Sequence, residues 1–480
     1  MKRILLIALA ALLLLLLWGA ATAFFRLQDR HPGYAVDLAV QGSTPAGLRA
    51  GFAATDITPL VPDAWTDADS NARFRQRWWG RGDTYVDGND NGRFDPVWMA
   101  GFQNNRPAQG VHDPLWARTM VLDDSTTRLA LVALDAIGFM SDDIIDIRKR
   151  LPAALGVDYL IVTSTHTHEG PDLLGLWGES HFHRGVDPAY LEYIKLQVLA
   201  SVEAAVGCLR PARLHFGRDL KGAAPLVEDA RRPVVLDPGL RLLQAVDTEA
   251  DTTLGVLCTW ANHPETLWND NLLLSSDFPH YVREGLERGV YYKDTLRAEG
   301  LGGVAVYVNG AIGGLMTTSP EFGIEDPFRD TTYYAPSYDK ARAQGERLAL
   351  LGLAALRDTA VATLERGAIA LRAQSIDLPL DNFFYRLSAV LGIIDRGTPA
   401  WMTVRSEVAA WRLGPASFLH QPGELYPEIL NGGVEHPPGA DFDVAPVETP
   451  PLRSLMPGDF RFTVGLSNDM IGYIIPRSEW

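Results

Sequence analysis

The chain has 480 residues, 47% of them hydrophobic and 21% charged, which is ample for a large buried core. A formal net charge of −16 excludes the basic footprint that nucleic acid requires. With only Cys208 and Cys258, a disulfide framework and a Cys-x-x-Cys metal site are both excluded; two buried thiols are expected, with pairing as the alternative.

The N-terminus carries a short basic start, Met1-Lys2-Arg3, and an apolar run from Ile4 to Phe25. Ala21-Thr22-Ala23 fits a small-x-small cleavage site. Residues 1–25 therefore read as a signal peptide or an uncleaved membrane anchor, and either places the body outside the cytoplasm, periplasmic, secreted or tethered. Residues 26–49 read as a linker and 50–480 as one large catalytic domain.

An insert spans Asp67–Pro96. Within it, Asp87, Asn89, Asn91 and Asp95 space oxygen side chains at positions 1, 3, 5 and 9 of a loop with Gly92 at position 6. That is the front of a calcium loop, although Trp98 stands where a bidentate Glu would close it. An Asx/Gly-rich turn is the alternative. Trp78-Trp79 lies among Arg73, Arg75, Arg77 and Arg81, a pattern that suits a membrane interface or packing under the insert.

Buried strands are expected at Leu129–Leu134, Tyr159–Thr163, Gly255–Trp260 and Gly303–Val308. Helical spacing appears at Ile144–Leu155, Leu191–Val206, Pro279–Glu287 and Ala341–Leu356. Ala368–Leu378 and Thr403–Leu413 alternate like antiparallel strands. The alternation predicts an α/β fold, a mixed sheet core flanked by helices with antiparallel additions. Phe383–Leu387 and Val390–Ile394 form an apolar stretch, read as a buried helix, with the lining of a lipid-accepting mouth as the alternative.

Chemistry gathers at strand ends. Thr163-Ser164-Thr165-His166-Thr167-His168-Glu169-Gly170-Pro171 directly follows a strand, and His-x-His on an extended backbone puts both rings on one side. Such a pair suits a metal ligand beside an acid/base partner. Trp260-Ala261-Asn262-His263-Pro264-Glu265 ends another strand, Pro422-Gly423-Glu424-Leu425-Tyr426 a third, and Gly465-Leu466-Ser467-Asn468 leads to Gly472-Tyr473. Each alone also fits a core histidine, a first-turn acid or a packing tyrosine.

Together these segments, with Gly51-Phe52-Ala53-Ala54-Thr55-Asp56-Ile57-Thr58-Pro59 and Leu134-Asp135-Ala136-Ile137-Gly138, resemble the neutral (non-lysosomal) ceramidases. The resemblance implies zinc, with His166, His263, Glu424 and Tyr473 as ligands and His168 as the acid/base group beside the metal. It implies hydrolysis of the amide of N-acyl-sphingosine-like lipids by zinc-activated water, with a lipid-like small molecule as partner, a membrane surface as a further one, and no protein partner identified. One departure is clear: in Asn309-Gly310-Ala311-Ile312-Gly313-Gly314-Leu315-Met316, Met316 replaces the family's active-site serine, so that nucleophile position is lost. The family's active-site arginine has no clear counterpart; Arg231 and Arg232 lie in the right region. Alternatives are an exported zinc hydrolase of a different amide or ester, and a catalytically degenerate binding protein.

Overall fold

Short runs rich in β-branched and aliphatic residues, bounded by turns, build the centre of the molecule. The computed structural model describes residues 2–42, 44–75, 82–232, 234–314, 316–358, 360–432 and 450–476; the Trp78-Trp79 pair and Arg77 and Arg81 lie outside them. The principal strands are β1 (Asp37–Val40), β2 (Arg49–Asp56), β3 (Trp116–Asp123), β4 (Arg128–Leu134), β5 (Tyr159–Ser164), β6 (Arg210–Asp219) and β7 (Leu240–Asp247). They continue with β8 (Thr253–Trp260), β9 (Val304–Asn309), β10 (Ala370–Pro379), β11 (Thr403–Leu413), β12 (Ala416–His420) and β13 (Phe460–Val464).

A large mixed sheet runs β9-β8-β7-β6-β2-β3-β4-β5, with a short strand Ala362–Leu364 beside β6. Its interior pairs are antiparallel, but the outermost pairs, β8 with β9 and β4 with β5, are parallel. A second sheet, β1-β10-β11-β12-β13, lies against one face. Because side chains alternate across a strand, Leu243, Leu257, Val306 and Val308 face this second sheet and meet Trp411, Phe418 and Phe462.

The opposite face is covered by helices. α1 (Lys2–Arg26) is the N-terminal apolar helix, and α2 (Ser141–Arg150), α3 (Pro188–Gly207), α4 (Phe278–Arg288) and α5 (Tyr338–Arg357) follow. α2 and α3 cover β2–β5, and α4 and α5 cover β7–β9. Their starts are fixed locally: Asp187 caps α3 ahead of Pro188, and Ser337 caps α5 by accepting from the Lys340 amide. α2 ends at Arg150, earlier than the helical spacing predicts, because Leu151 takes the extended conformation that Pro152 demands. The expected α/β architecture is therefore observed.

Residues 26–49 carry β1 and a bridge from Ala46–Gly47 to Arg366–Gly367. They are packed on the body rather than free of it, since Asp29 accepts two hydrogen bonds from Arg405 at 3.1 and 2.9 Å and Leu27 is buried. α6 (Phe383–Leu391) follows β10. It corrects the expectation of a buried helix: Ala389 is buried, whereas Phe383 and Phe384 are exposed. Cys208 and Cys258 are unpaired; Cys258 is buried and Cys208 exposed.

Candidate metal and active site

The large sheet curls until its two edges meet. Asn309, at the end of β9, donates from Nδ2 to the Thr165 carbonyl beyond β5 at 2.9 Å and to the Asn262 carbonyl beyond β8 at 2.8 Å. The segment after β13 adds a further stitch, with the Asn468 amide donating to Val162 at 2.7 Å and the Gly465 amide to Asn309 at 3.0 Å. Strand ends far apart in sequence are thereby brought together at one point.

His166 follows β5, but not on extended backbone: its φ is +69°, in the left-handed region. This corrects the simple alternation argument for His-x-His, and such a conformation in a non-glycine residue is characteristic of functional turns. Its Nδ1 lies 2.5 Å from the Ile137 carbonyl. A carbonyl only accepts, so Nδ1 holds the proton and Nε2 presents a lone pair. His263, after β8, repeats the device, with Nδ1 2.7 Å from the Met316 carbonyl. The two Nε2 atoms flank Glu424 Oε2 at 3.7 Å and 3.1 Å. Anchoring the far ring nitrogen on a backbone carbonyl is how metal-binding imidazoles are oriented.

Electrostatics agree with a cation-seeking centre. Burial holds the His166 imidazole down to about 3, against the pull of Glu424. Burial also opposes charge on His263, but its hydrogen bond to Glu424 and the nearby Glu265 carboxylate raise it to about 9. Glu424 is pushed up by burial, yet the surrounding histidines hold it below the usual carboxylate range. A buried carboxylate kept ionised between two imidazoles is a place where positive charge is stabilised. Two imidazole nitrogens and a carboxylate oxygen are a donor set that suits zinc.

Tyr473 sits beside Glu424 in the short parallel bridge that joins Glu424–Leu425 to Tyr473–Ile474. It is half-exposed, and burial followed by the Glu424 charge pushes its phenol upward. His166, His168, Glu424 and Tyr473 together form the polar end of a cavity of about 280 Å³. The rest of its wall is largely apolar, including Ile137, Leu174, Trp177, Leu380, Ile394 and Met470.

His168 lies close enough for its ring to group with His166 and His263, all three offering nitrogens within 4.8 Å of one another. Its Nδ1, however, faces Glu265 Oε2 at 3.1 Å. Burial raises Glu265, but the charge and hydrogen bonding of His168, then His263 and Thr317, bring it down to about 2. Gly101, at φ +99°, lets the chain pass against this ring; a Cβ there would stand 2.4 Å from His168 Cγ. Glu265 was present in the motif but carried no sequence signal of its own, because its partner is set by the fold. Arg396, which also lines the cavity, carried no signal either, whereas Tyr385 and Ile394 come from the stretch given as the alternative lining of a lipid-accepting mouth.

Met316 is fully buried among Leu226, Val256 and Trp260, and its contribution to the site is the carbonyl that holds His263. Arg231 reaches Glu428 at 2.6 Å and stacks over Tyr426, which in turn meets the Tyr473 ring edge-on. It is not among the residues lining the cavity, and Arg232 is exposed.

The calcium-like loop is closed by its own side chains. Asp87 accepts from the amides of Asn91 and Gly92 at 3.2 and 2.6 Å, and the side-chain amides of Asn89 and Asn91 both donate to Asp95. Buried Asp63 holds the loop ends through Gly88 and Asp95. Nearby, Asp67, Asp69 and Asp83 bring carboxylate oxygens within 4.8 Å of one another, and both oxygens of Asp83 accept backbone amides.

No protein-family model matches the chain. The neutral ceramidase of Mycobacterium tuberculosis is 27% identical over 225 residues, 42% of this chain. That match spans only about a third, 35%, of the relative's length. A crystal structure of neutral ceramidase from Pseudomonas aeruginosa matches with a TM-score of 0.60 at 16% identity, over 90% of this chain and 69% of that one. A ceramidase complexed with C2 matches at 0.59 and 16%, over 90% and 70%. The solved structures share the fold, and over the matched 225 residues the chain is similar in sequence to a neutral ceramidase.

Proposed function

We propose that the protein is a zinc-dependent hydrolase acting on the amide of N-acyl-sphingosine-like lipids. The observation that carries the reading is the convergence of His166 and His263, each anchored through Nδ1, on Glu424, with His166 and Glu424 reaching the polar end of an apolar cavity. His166, His263, Glu424 and Tyr473 would hold the ion. When bound, zinc supplies Lewis acidity that polarises a carbonyl and acidifies water.

The protein's own groups do the rest. The apolar wall receives an acyl chain and excludes water. His168, with Nδ1 turned to the Glu265 carboxylate, keeps Nε2 for proton exchange with the substrate, as acid toward the departing amine. Glu265, held ionised, stands behind the ring and sets its orientation. A serine nucleophile is not part of this scheme, because Met316 occupies that position and its side chain belongs to the core. The same observation favours the second reading, a zinc hydrolase of a different amide or ester.

Release of sphingoid base from N-acyl-sphingosine by the purified full chain, abolished by a chelator and restored by zinc, is the expected result. Hydrolysis of other acyl amides or esters with no activity on N-acyl-sphingosine would establish the second reading instead. A zinc-loaded protein inert toward all of them would leave a binding protein.

A further inference from the structure

We infer that the outer face of α6 is a membrane-docking surface that sets the mouth of the cavity against a lipid bilayer. Tyr385 and Ala389, on the inner face of this helix, line the cavity. Its outer face presents Phe383 and Phe384, 68% and 74% exposed, with Leu387 and Leu391 also exposed. Trp401, 77% exposed, stands in the turn joined to the approach to α6 through the Leu380 amide and the Met402 carbonyl. Aromatic side chains displayed together on a short amphipathic helix are expensive in water and favourable at the headgroup–acyl boundary.

The bilayer is singled out as occupant by what lies next to α6. α1 is 25 residues of almost unbroken apolar sequence, long enough to cross a membrane and without cover from the body. It does not depart on a slack tether. Arg26 at its end donates to the carbonyls of Val390 and Leu391 at the end of α6, and Thr398 holds the Leu27 carbonyl. A helix that leaves the hydrocarbon at Arg26 therefore delivers α6 to the interface, and the exposed aromatics remain should α1 be cleaved. Charge has little part in this: Arg30, Arg184 and Arg386 around the face are paired with Asp395 and Asp381. The docking is thus apolar, and a lipid entering beneath α6 passes from bilayer to cavity without crossing water. The route's substrate rests on the proposed amidase reading; the docking does not.

The test uses the full chain in phosphatidylcholine vesicles. An environment-sensitive fluorophore is placed at Phe384→Cys, and for reference at Tyr291→Cys, another exposed aromatic on the hairpin after α4. Both carry Cys208→Ser. Spin-labelled acyl chains should quench the first and spare the second, with little change when phosphatidylserine partly replaces the neutral lipid. Equal, weak quenching at both sites overturns the docking, and quenching that requires phosphatidylserine overturns its apolar character. The double variant Phe383→Ser/Phe384→Ser should slow turnover of bilayer-embedded N-acyl-sphingosine about tenfold or more while leaving a water-soluble short-chain amide within about twofold; equal rates on both substrates, or equal losses, overturn the entry route. Quenching in a chain that hydrolyses neither substrate sustains the docking and rejects the amidase reading.

Discussion

Two regions gather ligand-type side chains, and they differ in where the spare atoms point. At the His166/His263/Glu424 centre, each imidazole gives one nitrogen to a backbone carbonyl and aims the other at a common carboxylate. In the loop from Asp87 to Asp95, the oxygens already receive amides of the loop itself, and Asn89 and Asn91 are exposed with Asp87 and Asp95 only partly buried. A set of donors becomes a strong metal site when the fold fixes the ligands and leaves their lone pairs facing one another. A loop that saturates itself has to exchange hydrogen bonds for an ion.

The largest expected effect that separates roles within the first region is at His168. His168→Ala should keep stoichiometric zinc yet lose about 10² to 10⁴ in turnover, as removal of a general acid–base group does. Intact single-turnover rates in the zinc-loaded variant would make His168 structural. Next is Glu265→Gln, which keeps the shape but removes the charge behind His168; a loss of about 10- to 100-fold in turnover is expected, with zinc content preserved. Loss of zinc in proportion to activity would place Glu265 in the metal's support instead.

A gentler probe uses pH on metal-free protein. His263 is raised from 6.5 to about 9 in the fold. Its contribution to stability is therefore fully present below about pH 6.5 and is lost as pH rises through about 9. If zinc takes Nε2, that atom would no longer carry the proton, so this part of the pH dependence should vanish in the zinc-loaded protein. Parallel melting curves of the two forms from pH 6 to 10 check it. The smallest effect is expected in the second region: Asp95→Asn should leave zinc content and turnover unchanged. Should added calcium raise the melting temperature of the parent but not of this variant, the loop is a cation site; with no rise, it is a turn.

Much of the framework was legible because its strands are continuous apolar runs between turns. Leu129–Leu134 and Gly255–Trp260 emerge within two residues of expectation, as β4 and β8. Ile144–Leu155 was overextended because Pro152 acts one residue ahead of itself, on Leu151. The His-x-His and His-Pro segments were legible as strand ends, but their meeting was not, since it depends on curvature that closes one sheet edge on the other. Glu265 escaped notice for the same reason: its meaning lies in a 3.1 Å approach to His168 that no local pattern encodes. α6 was misjudged because apolar composition ordinarily signals burial, and only the packed molecule shows which of its faces is left uncovered.

The central claim is that one buried centre built from His166, His263 and Glu424 binds zinc. Its most direct test is metal content, by mass spectrometry after exhaustive dialysis, of the full chain beside folded His166→Ala, His263→Ala and Glu424→Ala variants. The account predicts one zinc per parent chain and far less than one in each variant. A parent chain that retains no zinc, or variants that hold it as tightly as the parent, would contradict it.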